Sequence, residues 1–258
     1  MRSLITGASK GIGRAVALRL AVPGAKLALG ASTHSDELKE VIREAEAKGA
    51  EAIPVIGDLS DPDVPGKIAA ECVKAFDGLD AVISNAGISI PSAIGDIKLE
   101  NWDRVFAVNV RAPMLLAQAV HEPLKAAKGA FVAIASMSGV QPYPGMGPYS
   151  SSKAALIMFA RQLALEWVAD GIRVNTISPG LFRTALTEKV YSDETIKKQR
   201  EAMVPAGRIG DPAEDLAGVI EFLLTSGSTY MVGQNIVVDG GLIESIQAKI
   251  AGRPATKG

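Results

Sequence analysis

Short apolar runs recur along this chain, separated by longer stretches in which apolar residues return every three or four positions. The runs at 1–6, 26–30, 51–56, 80–84, 131–135, 172–177 and 236–238 are too short for helices and apolar on both faces, so they read as buried strands. Between them the period lengthens to that of a helix: after Gly13, over 35–48, over 62–76, from Asn101 through Phe106 and Leu115–Leu116, from Tyr149 to about 169, over about 185–202, and over 212–224. Pro113 is expected to kink the fourth of these. After Asp239-Gly-Gly241 the chain ends in a polar tail. Strand alternating with helix predicts a parallel sheet covered on both faces, and right-handed crossovers make it a doubly wound, Rossmann-type α/β fold. With no linker or repeat in view, the expectation is one domain over 1–258, with an insertion at about 181–210.

In such sheets ligands bind outside the carboxyl ends of the strands. That rule gathers Gly7–Gly13, Asp58, Asn85, Ser136 and Pro179–Gly180 along one edge. The first of these, a glycine-rich turn between a strand and a helix N-terminus, is suited to an anion: free N–H groups and the helix dipole both face it. Its spacing, G-x3-G-x-G, differs from G-x-G-x-x-G. The same residues spell G-x-S-x-G, which would make Ser9 a hydrolase nucleophile. A nucleophile elbow belongs on a sheet already several strands wide, whereas this turn follows the first strand. Neither His34 nor His121 sits in a recognisable partner motif.

Tyr149 and Lys153 are four apart at the start of a long helix and so share one face. Bringing a phenol from a pKa of about 10 to about 7 takes roughly 4 kcal/mol. One ammonium about 4 Å away, at an effective dielectric of about 20, supplies about that much. The pair therefore reads as an acid/base tyrosine for a carbonyl or an alcohol.

Charge and composition narrow the field. The 258 residues carry a net charge of −1, which gives no nucleic-acid footprint. The one cysteine, Cys72, cannot form an intrachain disulfide and fits a reducing compartment. No apolar run reaches membrane-spanning length. The expectation is a cytoplasmic protein that contacts neither membrane nor nucleic acid and holds no metal.

Taken together, TGASKGIG (6–13), DL (58–59), NAG (85–87), Asn109, Ser136, YSSSK (149–153), PGLFRT (179–184) and VDGG (238–241) resemble the short-chain dehydrogenase/reductase family over essentially the whole chain. The likeness is greatest to members similar to 3-oxoacyl-carrier-protein reductases, which share text of the kind at 205–214. The thirteen positions from Ser136 to Tyr149 are part of that pattern. The resemblance implies hydride transfer between a nicotinamide cofactor and a ketone or secondary alcohol, with Tyr149 handling the proton. Ser136 would orient the substrate oxygen, Lys153 would favour the phenolate and hold the nicotinamide ribose, and Asn109 would position a water. For the cofactor it implies Gly7, Ser9, Gly11, Ile12 and Gly13 at the pyrophosphate, Asp58 and Leu59 at the adenine, Asn85, Ala86 and Gly87 at the adenosine-side ribose, and Pro179, Gly180 and Thr184 at the nicotinamide. The alternative is a non-catalytic scaffold that only binds the cofactor; the complete Asn–Ser–Tyr–Lys set argues against it.

Three finer expectations follow. Ala31 stands where relatives specific for NAD carry an acid, Ser32 offers a hydroxyl, and Lys10 offers a cation, so NADP(H) is favoured over NAD(H). Ser138, Val140, Tyr143, Met146, Phe182 and Tyr191 flank the expected hydride site, and their largely apolar character points to a hydrophobic carbonyl substrate. The run Ala154–Ala160 is apolar all round, more than one sheet face can cover, which predicts a homo-oligomer, a tetramer by family analogy.

Overall fold

The computed structural model describes residues 1–184 and 187–245. Seven parallel strands form one sheet in the order β3-β2-β1-β4-β5-β6-β7: β1 (Arg2–Ile5), β2 (Lys26–Ala31), β3 (Glu51–Ile56), β4 (Ala81–Ser84), β5 (Ala130–Ile134), β6 (Arg173–Pro179) and β7 (Asn235–Val238). The chain starts in the middle, winds outward to β3, returns to β4 beside β1, and winds out again to β7. The reversal between β1 and β4 opens a crevice above their carboxyl ends.

Successive residues of a strand point to opposite faces, and the core divides accordingly. Ile5, Leu27, Leu29, Ile83, Val132 and Ile134 pack under α1 (Gly11–Leu20), α2 (Asp36–Ala47) and α9 (Ala217–Leu224). Leu4, Ala28, Val82, Phe131 and Ala133 pack under α3 (Val64–Phe76), α5 (Ala112–Ala127) and α6 (Tyr149–Trp167). Cys72 is fully enclosed in α3, and burial pushes its thiol up to about 12, so it is a packing residue.

The expected kink at Pro113 takes the form of a π-turn. Between α4 (Leu99–Phe106) and α5 the backbone widens over Ala107–Arg111, and the Ala112 N–H bonds the Ala107 carbonyl five residues back. Pro113 has no N–H to offer the carbonyl of Asn109, which favours such a break. The polar stretch resolves into a short α7 (Glu188–Tyr191) and α8 (Glu194–Met203). Residues 185–186 of that stretch and the tail beyond 245 lie outside the described residues. Among the described residues no helix is long and apolar enough to cross a membrane.

Candidate active site

A cleft of about 830 Å³ runs across the carboxyl edge of the sheet, from Ser32 and Thr33 past the turn after β1 to Ser136, Tyr149 and Arg200. The turn after β1 is held by its neighbour strand. The Thr6 hydroxyl accepts from the Asn85 and Ala86 N–H groups at 3.0 Å, and the Asn85 amide donates to the carbonyls of Thr6 and Gly7 at 2.9 and 3.0 Å. Gly7 and Gly11 adopt positive φ (65° and 55°), which only glycine takes without strain. Gly13 does not line the cleft; a Cβ there would collide with the Gly7 carbonyl, so its role is to let α1 close on the turn. No side chain caps α1, and its first-turn N–H groups have no partner within the helix. Gly7, Ser9, Lys10, Gly11 and Ile12 line the wall beside them. An uncapped helix start behind a glycine cradle fits a pyrophosphate.

On one side of this turn Lys10, Ser32, Asp58 and Leu59 line the cleft. Lys10 is not a free cation: its ammonium lies 2.7 Å from Glu37, in the first turn of α2, and this pairing holds the Glu37 carboxyl down to about 2. Asp58 accepts from the Ser60 N–H at 2.9 Å, which depresses its pKa, and faces Arg104 at 3.5 Å. Asn85, Ala86 and Gly87 follow at the centre, and Pro179, Gly180, Phe182 and Thr184 form the opposite wall. Here too glycine has a reason, since a Cβ on Gly87 would stand 3.2 Å from the Lys153 ammonium.

Lys153 rises from α6 beneath the sheet edge, only 3% exposed, and donates to the Ile134 carbonyl at 2.8 Å. Burial lowers its pKa to about 8. Its ammonium lies 5.8 Å from the centroid of the Tyr149 ring. Burial raises the Tyr149 phenol above its ordinary value, against a hydrogen bond with Ser136 that lowers it. This corrects the sequence-based estimate: without cofactor the ammonium is spent on a carbonyl, and the tyrosine holds its proton. Ser136 caps the single turn Met137–Gly139, accepting from the Ser138 N–H at 3.2 Å and from the Ser138 hydroxyl at 3.1 Å. A hydroxyl that already accepts two hydrogen bonds keeps its own hydrogen for another acceptor.

Five expected site residues lie off the cleft wall, and each has a physical reason. Gly13 packs against the turn, as described above. Asn109 is fully buried behind Gly87: it accepts from the Ile88 N–H at 2.9 Å and donates to the Ile88 carbonyl at 2.9 Å and to Ser152 at 3.0 Å. Ser138 is buried behind Ser136 and supports it. Val140 faces solvent, and Tyr191 is buried beneath Arg200, whose guanidinium lies 5.6 Å from its ring centroid. Tyr143 and Met146 do line the cleft. Arg104, Val190 and Arg200 line it as well, and nothing in the sequence separates Arg200 from Lys197 and Lys198 on the same polar helix. Ser9 has no base beside it among the described residues: His121 is held by Asp170 at 2.8 Å and tilts over Trp167, and His34 is exposed on the loop after β2.

Known proteins share this sequence pattern and this fold. Residues 7–243 match the family profile described as enoyl-(acyl carrier protein) reductase. Glucose 1-dehydrogenase of Gluconobacter oxydans is 38% identical over 241 residues, covering 93% of this chain and 90% of that one. A 3-oxoacyl-[acyl-carrier-protein] reductase of Synechocystis is 34% identical over 243 residues, covering 93% and 96%. The crystal structure of L-sorbose reductase from Gluconobacter frateurii, complexed with NADPH and L-sorbose, superposes with a TM-score of 0.88 at 32% identity, covering 95% of this chain and 97% of that one. The chain belongs to the short-chain dehydrogenase/reductase family and is an oxidoreductase of small carbonyl and alcohol compounds.

Proposed function

We propose that Tyr149, Ser136 and Lys153 form the catalytic set for interconverting a ketone and a secondary alcohol, with Asn109 supporting them from behind. The bound nicotinamide supplies or takes up the hydride. Tyr149, protonated at neutral pH, donates its proton to the carbonyl oxygen as that oxygen gains charge, and takes it back in the reverse direction. The Ser136 hydrogen, shared with the phenol in the absence of substrate, would turn to that oxygen and align it with Tyr149. Lys153 supplies a buried positive charge 5.8 Å from the centroid of the Tyr149 ring, which counts for more in a desolvated site. Asn109 ties Ile88, at the lip of the cleft, to α6 through Ser152. The observation that carries this reading is Tyr149, Ser136 and Lys153 meeting beside a glycine cradle in one continuous cleft. Replacing Tyr149 by Phe should reduce turnover by at least about a thousandfold while leaving cofactor binding, followed by fluorescence of the reduced nicotinamide, nearly unchanged; a variant that keeps most of its rate overturns the assignment.

We infer further that NADP(H) is preferred over NAD(H). Ala31 ends β2 with no carboxylate, Ser32 and Thr33 offer hydroxyls on the wall, and Lys10 stands within the turn. A 2′-phosphate would take the place of Glu37 on Lys10. We also read the chain as a homo-oligomer, a tetramer by family analogy, because α6 leaves Met158 and Leu165 exposed at 61% and 76%. The working unit is taken as one domain with 181–210 as its substrate loop, since one seven-stranded sheet runs through the chain and Phe182, Thr184, Val190 and Arg200 bring that loop to the cleft. A cytoplasmic setting is supported by the single reduced, enclosed Cys72.

A further inference from the structure

Among the described residues four cationic side chains line the cleft: Lys10, Arg104, Lys153 and Arg200. Three have acceptors, namely Glu37, Asp58 and the Ile134 carbonyl. Arg200 is different. Among the described residues no carboxylate pairs with it, and its contact is with the ring of Tyr191. A ring face uses none of a guanidinium's five N–H donors, so they remain open to the cleft. The ring beneath is only 2% exposed, a firm platform that fixes where the cation stands.

Arg200 lines the same cleft as Tyr143, Met146 and Tyr149. Among the described residues the one carboxylate lining the cleft is Asp58, which is engaged by Ser60 and Arg104. The substrate end thus holds an unmatched positive charge in an otherwise largely apolar wall of Met146, Phe182 and Val190.

We propose that Arg200 binds a carboxylate carried by the substrate, so that the enzyme works on a hydroxy acid and the matching keto acid, with the acid group set apart from the reacting carbon. This rests on the oxidoreductase reading above and adds a charged group to the hydrophobic carbonyl substrate expected from sequence. A carboxylate is favoured over a phosphate because one guanidinium matches a single negative charge and its planar fork matches two coplanar oxygens. A phosphomonoester, with nearly two charges, calls for a second free cation, and among the described residues the other three are engaged. The carboxylate takes no part in the chemical step; it anchors the molecule.

The test compares secondary hydroxy acids and keto acids of graded chain length with their uncharged amides and with matched phosphomonoesters, using native enzyme and both cofactors. The expected result is a preference for acid over amide in kcat/KM of about tenfold to a hundredfold, the range of a charged hydrogen bond. In Arg200→Ala that ratio should fall close to one, through a raised KM for the acids, and Arg200→Lys should keep part of it. Native enzyme that turns over acid and amide equally, or prefers the phosphomonoester, overturns the proposal. So does an Arg200→Ala variant with an unchanged ratio. Should the alanine variant not fold, as judged by circular dichroism, the native ratio and Arg200→Lys decide. Absence of turnover with acids, amides and plain ketones alike would instead defeat the oxidoreductase reading itself.

Discussion

At the scale of single residues, cofactor choice turns on a pair that the chain itself forms. Lys10 is held by Glu37, so a 2′-phosphate must compete with a carboxylate for the same ammonium. Both partners are about half exposed, and water screens their attraction, so the exchange is a close contest. Glu37→Gln should raise the preference for NADP(H) over NAD(H) by about twofold to fivefold, because it frees Lys10 and removes a negative charge beside the phosphate. Lys10→Ala should lower that preference by about tenfold. The ratio of catalytic efficiencies with the two cofactors measures both. A native enzyme that prefers NAD(H), or a Lys10→Ala variant with unchanged preference, removes Lys10 from this role. The pairing shows where sequence reading stops. The missing acid at Ala31 and the cation at Lys10 are visible as residue types, but Glu37 meets Lys10 only because β2 delivers the start of α2 to the turn after β1.

At the scale of elements, the π-turn between α4 and α5 is what aims Asn109 inward. Were the helix regular, its register through Pro113 would differ, and the amide would not face Ile88 and Ser152 together. Asn109→Ala removes three hydrogen bonds and leaves buried partners unsatisfied. We expect a loss of about 2–4 kcal/mol in stability, read by denaturant unfolding, together with weaker turnover. A loss below about 0.5 kcal/mol would show that the tether carries no load. The elements themselves were largely legible from sequence: β3 spans 51–56 as expected, and α6 starts at Tyr149. Their periodicity reports burial on a sheet, and burial is what the fold enforces. The π-turn was legible only as a break, because Pro113 announces a missing donor without stating how the backbone will adapt. Side chains whose meaning depends on a neighbour from elsewhere in the chain were not legible. Ser138 reads as a pocket residue until Ser136 is seen above it, and Arg200 reads as surface charge until Tyr191 is seen below it.

At the scale of the whole molecule, α6 has two faces with different fates. Leu156, Ala160 and Leu163 enter the core, while Met158 and Leu165 stay exposed, and Phe106 and Leu115 on the neighbouring helices are half-buried. Among the described residues no larger core absorbs this surface, which supports our proposal that a second copy covers it. Sedimentation at micromolar concentration should show an assembly larger than one chain, and Leu165→Glu should shift it toward smaller species; a native monomer contradicts the reading. The same helix also carries Lys153 into the interior, and the thermodynamic consequence reaches the entire fold. Its ordinary pKa is 10.5 and its folded value about 8, so between these the unfolded chain binds more protons than the folded one. Below pH about 8 the molecule bears the full burden of a desolvated charge, on the order of 3 kcal/mol, and the burden lifts as pH climbs toward 10.5. Stability should therefore rise across that window. Lys153→Met should abolish that rise and lift the melting temperature at neutral pH by about 5 °C while destroying activity; a variant that melts lower than the native enzyme would contradict this. A sequence optimised for endurance alone would discard this lysine, and on its proposed catalytic role its presence would mark where selection for turnover has overruled selection for a sturdier protein.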